Sequence, residues 1–297
     1  MDRAGDKLPL FFCEIGKIMS LEQYTINGQS VWRGRIEKMR GIKVEKNNAP
    51  KFIIRPLAKE DAHSMSELSA VIYSYLGKGE ECFIHKHDSN YYQKIFDNKD
   101  VTYIGVFVGQ QLIGMSYIYN CDSMQKLNNE IPNSPINFFE KNPDMRAVSL
   151  GADSVHPDYR GNNLNQIMIQ YRLNLARRQG YSDVFSIIDR KNHWNMPPYF
   201  TNGFKMFASA IDPSDGGKIA LMHHNLKEKG QYFHGGINVS YDNFSHIDTL
   251  LARGFIGTSY NQQSKTINFV KQAPRCEIVK FPSQFNIIKY AKTANGL

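Results

Sequence analysis

The spacing of apolar and polar residues changes along the chain. In the middle of the sequence this spacing predicts a strand, a turn, a helix and a second strand. A mostly apolar run covers residues 147–155, and a second one covers residues 184–188. Between them, a pattern reaching to about Gln179 repeats one apolar stripe at i, i+3, i+4, i+7 and i+11, the spacing of a helix. The stripe consists of Leu164, Ile167, Met168, Tyr171 and Leu175. Gly180 follows where a C-terminal cap is expected.

The same method predicts further elements on both sides of this unit. Asp61 is a suitable N-cap for a helix that carries Met65, Leu68, Ile72 and Leu76. Two hairpins are expected, one from residues 101–108 and 112–119 and one from 207–211 and 218–222. Near the end, a strand over 237–241, a helix over 244–253 and a hairpin from 255–260 and 265–270 complete a mixed α and β pattern.

The turn before the central helix is the part of this pattern best suited to chemistry. Residues 156–159 read His-Pro-Asp-Tyr, and residues 160–165 read Arg-Gly-Asn-Asn-Leu-Asn at the start of the helix. The first amides of a helix have no partner inside it and, with the helix dipole, favour an anion. Arg160 adds a cation beside them. The glycine patterns of dinucleotide-binding folds and of the P-loop are both missing from the sequence.

Residues 155–165 resemble the coenzyme A-binding core of the GNAT N-acyltransferase superfamily. In that family a Val-x-Pro-x-Tyr/Phe strand end precedes a phosphate loop of the form [RQ]-x-x-G-x-[GA]. Val155 to Tyr159 match the strand end and Arg160 matches the first loop position, whereas Asn163 and Asn165 stand where the family keeps small residues. Asparagine tolerates a left-handed backbone better than most residues, so Asn163 can keep the turn.

A second set of matches lies downstream. The family pattern N-x(6)-Y-x(3)-G-F is met by Asn192, Tyr199, Gly203 and Phe204. The resemblance covers residues 51–226 and implies an α+β fold, with a central, mostly antiparallel twisted sheet flanked by helices. Residues 1–50 are then an N-terminal extension that docks on or orders the domain. Residues 227–297 are an accessory strand, helix and hairpin that extends the sheet or makes a dimer contact.

The resemblance also implies an activity, the transfer of an acyl group, most simply acetyl from acetyl-CoA, to a primary amine of a small molecule or a protein. Tyr199 matches the family tyrosine that protonates the departing thiolate; the alternative is a tyrosine that only packs in the core. Backbone groups of Val155 are expected to bind the pantetheine arm, and Asn192 to position the arm or a water. The backbone amides of the loop would hold the pyrophosphate; its residues are Arg160, Gly161, Asn162, Asn163, Leu164 and Asn165.

The general base is less defined than the acid. Asp153 lies two residues before Val155 on the same face of the strand, so it is the first candidate. Burial in a cleft would raise the pKa of its carboxyl group toward a useful value. Asp189, at the end of the next strand, is the second candidate. The plain alternative for both is that they cap turns.

Composition limits the class of protein without naming a substrate. With 41% hydrophobic residues among 297, the chain can form a sizeable core. Its four cysteines lie far apart, which favours a reducing cytoplasm and argues against structural zinc. No apolar run approaches the roughly 18 residues of a membrane span. The net charge of +8 suits a polyanion such as coenzyme A, and no pattern specific to nucleic-acid binding accompanies it.

Three questions stay open at this level. The basic stretch at residues 37–46 is interpreted as a solvated face, and His85, His87 and Asp88 as part of a segment lining the acceptor pocket rather than a metal site. Residues 77–97 and 122–145 are expected to determine the acceptor, the second acting as an inserted lid. A protein that binds coenzyme A without transferring, as a sensor or scaffold, is the alternative function, and a homodimer is compatible with either.

Overall fold

The structure is a computed structural model that describes residues 21–26, 28–77, 87–121, 146–212, 216–227 and 235–271. The chain folds into two compact units. The first consists of residues 1–117 and 152–171, and the second of residues 118–151 and 172–297. The predicted lid at 122–145 and His85 fall outside the described residues.

The first unit is built on antiparallel strands. β1 (Glu22–Ile26) and β2 (Gln29–Arg35) form a hairpin, β2 pairs with β3 (Lys51–Pro56), and β3 pairs with β4 (Val101–Val108). β5 (Gln111–Asn120) follows β4 across the turn at Gly109, which has a φ of 58°. The N-terminal extension therefore adds two strands to the sheet, which the sequence analysis did not predict as strands.

Helices cover the sheet of this unit on both faces. α1 (Ala62–Ser74) and α2 (Ser89–Ile95) bury Met65, Leu68 and Tyr92 against Phe107 and Leu112. On the other face, the first half of α3 (Leu164–Arg178) packs against a cluster formed by Trp32, Ile36, Phe52, Ile54, Ile104, Val106 and Ile113. The members of the predicted apolar stripe as far as Tyr171 lie in this cluster, so the helical periodicity is confirmed.

The second unit contains the rest of the expected order. The first half of β6 (Ala147–Val155) pairs in parallel with β7 (Asp183–Asp189) from Ala147–Asp183 to Leu150–Ser186. β9 (Lys218–Asn225) then pairs antiparallel with both β7 and β8 (Lys205–Ile211). α4 (Met196–Thr201) connects β7 to β8. Of the turn predicted at residues 212–217, residues 213–215 lie outside the described part.

The C-terminal segment continues the sheet of the second unit. Extending the sheet was one of the two roles expected of it, and a dimer contact was the other. It contains β10 (Ile237–Ser240), α5 (Phe244–Ala252), β11 (Phe255–Asn261) and β12 (Thr266–Lys271). β11 joins β8 through the pair Gly257–Met206, and β12 lies between β11 and β10. The mixed sheet flanked by helices confirms the predicted α+β class.

One local prediction needs a correction. Asp61 occupies the N-cap position of α1, but its carboxylate makes no capping hydrogen bond. It instead receives two hydrogen bonds from the guanidinium of Arg55, at 2.7 and 2.8 Å, and one from the amide of Ala58. The charged partner at the end of β3 therefore binds the carboxylate that the helix was expected to use.

Candidate functional site

The predicted phosphate loop lies in the first unit, between the end of β6 and the start of α3. A short 3-10 turn at Pro157–Tyr159 leads into it. The amide of Asp158 donates a hydrogen bond to Nδ1 of His156, with 3.2 Å between the two nitrogens. The amide of His156 donates to the carbonyl of Ile113 at 2.8 Å, which ties the turn to β5. Burial lowers the pKa of His156, so the neutral ring that this hydrogen bond requires is favoured.

Two left-handed residues shape the loop itself. Gly161 has a φ of 83° and Asn163 a φ of 54°. Asn163, at the position where the family pattern has glycine, therefore adopts the left-handed conformation that the sequence analysis expected. Its carbonyl accepts the amide of Ile167 at 3.0 Å, so α3 begins directly after it. The first amides of α3 thus follow a turn made by residues 160–163.

The side chains of the loop have different roles. Arg160 is exposed, and its Nε donates to the carbonyl of Val155 at 3.3 Å. Leu164 is 2% exposed and packs in the core, so only its backbone is available to a ligand. Asn165 is half-buried in the first turn of α3. The effect of its side chain on the binding of phosphate stays a prediction.

Asn162 turns its side chain into the protein. It is 4% exposed and forms four hydrogen bonds. Its Oδ1 accepts the amides of Glu37 and Lys38, both at 2.8 Å, and its Nδ2 donates to the carbonyls of Lys38 at 2.6 Å and Tyr159 at 2.8 Å. Both hydrogen-bonding groups of the amide are used, so this side chain fixes the loop and leaves the ligand to the backbone.

The first candidate base also lies at this end of β6. Asp153 is half-buried and follows Ala152, whose φ of 24° is unusual for a residue with a side chain. In the second unit, the buried Arg172 donates to the carbonyl of Gly151 at 3.1 Å. The irregular backbone of β6 is thus held by a buried guanidinium directly before Ala152.

The other predicted site residues lie in the second unit, after β7. Asn192 is half-buried, and its side chain makes no capping hydrogen bond to the 3-10 turn that follows it. Tyr199 is 3% exposed in α4, and its ring packs edge-on against Phe204 at 5.0 Å. The geometry agrees with the core-packing alternative for Tyr199, and its role as an acid stays a prediction.

Asp189, the second candidate base, makes the contact that the plain alternative describes. Its Oδ1 accepts the amide of Lys191 at 2.7 Å and so closes the turn after β7. In the first unit, Asp88 similarly caps α2 by accepting the amide of Tyr91 at 2.8 Å. The neighbouring His87 stacks on the ring of Tyr91 at 3.6 Å. Among the described residues, no group of three metal-binding side chains is found.

Sequence reasoning missed one group beside the loop, the N-terminal segment at residues 36–40. Arg40 donates its amide to the carbonyl of Asp158 at 2.9 Å, and Asn162 holds the two residues before Met39. The basic character of this stretch was visible in the sequence. Its position was not, because the contact joins residues about 120 positions apart.

Comparisons with known proteins give similarities of structure alone. No protein-family model matches the sequence, and no curated protein sequence is similar to it. An N-acetyltransferase from Staphylococcus aureus Mu50 is similar with a TM-score of 0.44 and 13% identity, over 60% of this chain and 99% of that one. A putative acetyltransferase from Salmonella typhimurium, solved with its cofactor acetyl-CoA, has a TM-score of 0.44 and 14% identity over 62% and 99%.

A GNAT-family acetyltransferase from Streptococcus pneumoniae has a TM-score of 0.44 and 11% identity, over 59% of this chain and 98% of that one. At identities of 11–14% these proteins show only what the chain is similar to. Among the described residues, none of the helices has the length and apolar character that crossing a membrane requires.

Proposed function

We propose that this protein is an acyl-CoA-dependent N-acyltransferase of the GNAT type, which transfers acetyl from acetyl-CoA to a primary amine of a small molecule or a protein. The observation that carries the proposal is the loop before α3. Gly161 and Asn163 take the two left-handed positions, Asn162 is fixed from inside, and Arg160 remains exposed. Such a turn before a helix presents amide hydrogens to an anion, and the pyrophosphate of the coenzyme is one.

The chemistry assigned to the side chains is direct transfer, which requires no metal. The amine nitrogen attacks the thioester carbonyl, a C–N bond forms, and the C–S bond breaks to release coenzyme A. The amine loses a proton, which Asp153 accepts directly or through water, and Tyr199 gives a proton to the departing thiolate. Val155 and Asn192 orient the pantetheine arm through the backbone and the side-chain amide, respectively.

Transfer is tested by incubating the full chain with acetyl-CoA and a panel of polyamines, amino acids and lysine peptides. Thiol release and the mass of the acetylated amine are the readouts. Removing a general acid costs about 10²-fold or more in turnover, so Tyr199→Phe is expected to lower kcat by that factor while acetyl-CoA binding survives. Tyr260→Phe, a half-buried tyrosine of the same unit, is the matched control and should leave kcat unchanged.

Two results would change the assignment. If Tyr199→Phe turned over as fast as the parent at every pH, Tyr199 would be a packing residue and the acid would lie elsewhere. If the parent bound acetyl-CoA but neither acetylated an amine nor hydrolysed the thioester, the coenzyme A-binding sensor would replace the enzyme. Asn163 and Asn165 are the departures that support that alternative, whereas the left-handed φ of 54° at Asn163 supports the enzyme.

A further inference from the structure

The N-terminal segment is fixed on the predicted phosphate loop by several independent contacts. Ile36 is fully buried in the core of the first unit, and its amide donates to the carbonyl of Pro50 at 2.7 Å. The side chain of Asn162 binds the backbone of Glu37 and Lys38, and the backbone amide of Arg40 donates to the backbone carbonyl of Asp158. A segment held at both ends in this way is ordered by the loop and orders it in return.

Lys38 is the cation that this attachment places beside the loop. Its side chain is exposed, and its Cδ lies 3.7 Å from the position that a Cβ on Gly161 would occupy. The Lys38 side chain therefore passes beside Gly161, the neighbour of Arg160 in the loop, and its ammonium group is two bonds beyond Cδ. Arg40, another exposed cation of the segment, has its Cζ 5.4 Å from the centre of the Tyr75 ring.

Two acidic residues, Glu37 and Asp158, lie near Lys38 and Arg160 in the sequence. Glu37 is exposed and adjacent in sequence to Lys38, and Asp158 lies 4.0 Å from the Nδ1 of His156. Salt bridges in the described residues include neither Lys38 nor Arg160. A cation of the turn and a cation of the N-terminal segment beside it favour a ligand with more than one negative charge, as the phosphates of a coenzyme provide.

We propose that the N-terminal segment completes the coenzyme site: Lys38 binds a phosphate group of the coenzyme, and Asn162 is the positioning residue that holds Lys38 there. This inference rests on the proposed function, because it concerns the same ligand. It assigns Lys38, part of the stretch 37–46 that was interpreted from sequence as a solvated face, to coenzyme binding. The segment precedes residues 51–226, which resemble the acyltransferase family. The family resemblance therefore does not imply the contribution of Lys38.

The test is calorimetric titration of coenzyme A into the full chain and its variants at a low and a moderate salt concentration. Lys38→Ala is expected to raise the Kd about fivefold and to reduce its salt dependence, since one exposed cation–phosphate contact is lost. Lys38→Arg should restore binding to within about twofold of the parent, because the charge returns. Lys43→Ala, an exposed lysine of the same basic stretch, is the control and should have no effect.

The positioning role of Asn162 is tested by a double-mutant cycle. Asn162→Ala releases the segment, so adding Lys38→Ala to it should then change the Kd little, and the two effects should not add. A merely structural role for Asn162 would leave the effect of Lys38→Ala at its full size. Additive effects would therefore overturn the positioning role.

The remaining outcomes separate this inference from the proposed function. If Lys38→Ala bound coenzyme A like the parent while Arg160→Ala bound it weakly, the loop would be the coenzyme site and the N-terminal segment would not belong to it. If the parent did not bind coenzyme A, both proposals would fail together.

Discussion

Arg190 and Asp248 form a buried ion pair that joins the end of β7 to α5. The Nη1 of Arg190 donates to Oδ1 of Asp248 at 2.6 Å, and the side chains are 1% and 4% exposed. Lys218 donates to the other carboxylate oxygen at 3.0 Å, and the ring of Phe244 covers the guanidinium at 4.2 Å. The C-terminal segment is thus attached to the rest of the second unit through an ion pair as well as through strand pairing.

This pair predicts that Asp248→Ala destabilises the C-terminal segment by about 3–5 kcal/mol, because the positive charge of Arg190 stays buried without its partner. Burial already lowers the pKa of the guanidinium, and the carboxylate is what opposes that shift. Hydrogen exchange in residues 244–261 measures the change. Asp242→Ala, at an exposed aspartate just before α5, is the control and should stay within about 0.5 kcal/mol of the parent. Equal protection in both variants would mean that strand pairing alone holds the segment.

Asn162→Ala is expected to lower the free energy of unfolding of the first unit by about 2–4 kcal/mol, since four hydrogen bonds of a buried side chain are lost. Asn162→Asp should be intermediate, because a carboxylate still accepts the two amides but donates nothing. Urea unfolding followed by the fluorescence of Trp32, which is buried in that unit, measures this in a Trp194→Phe background. If Asn162→Ala unfolded like the exposed-site control Asn48→Ala, the loop would not depend on this side chain.

The stability of the first unit should fall as the pH drops below about 6.5, in part through His156. Burial holds the pKa of this histidine below its usual value, so the unfolded chain binds the proton more readily and gains population as the pH falls through that range. Asp61 also has a lowered pKa, but its contribution is lost only below its ordinary value of 3.8.

The measurement is urea unfolding from pH 7.5 to pH 5.0 for the parent, His156→Gln and the control His63→Gln, at a mostly exposed histidine. The slope against pH should flatten in His156→Gln and stay the same in His63→Gln. Identical slopes in the three proteins would contradict a buried neutral ring at the turn.

The sequence predicted the parts of the fold that depend on local pattern. The stripe from Leu164 to Tyr171 lies in the core, Gly180 has the left-handed φ of 74° expected of a cap, and the tail extends the sheet. Asn163 took the left-handed turn because that conformation costs asparagine little. These features follow from residue type and spacing within one or two turns of chain.

The features that the sequence analysis did not predict depend on contacts between distant residues. The strand Gln29–Arg35 carries a buried Trp32 and has Gly34 next to its last residue, and it forms by pairing with both β1 and β3. Asn162 was expected to contribute its backbone, but its side chain binds residues 124 and 125 positions earlier. Lys38 was assigned to a solvated face and is exposed, but its position beside Gly161 was not predicted, because nothing local in the sequence indicates it.

The central claim is that residues 160–165 bind acetyl-CoA, and calorimetric titration of the parent, Arg160→Ala and Arg253→Ala tests it most directly. Arg253 is an exposed arginine of the other unit and serves as the control for a lost positive charge. We predict saturable binding to the parent and to Arg253→Ala, and binding about tenfold weaker or more to Arg160→Ala, since a charge-assisted contact to phosphate is lost. Absence of saturable binding to the parent, or equal binding to all three proteins, would contradict the assignment of this loop as the coenzyme site.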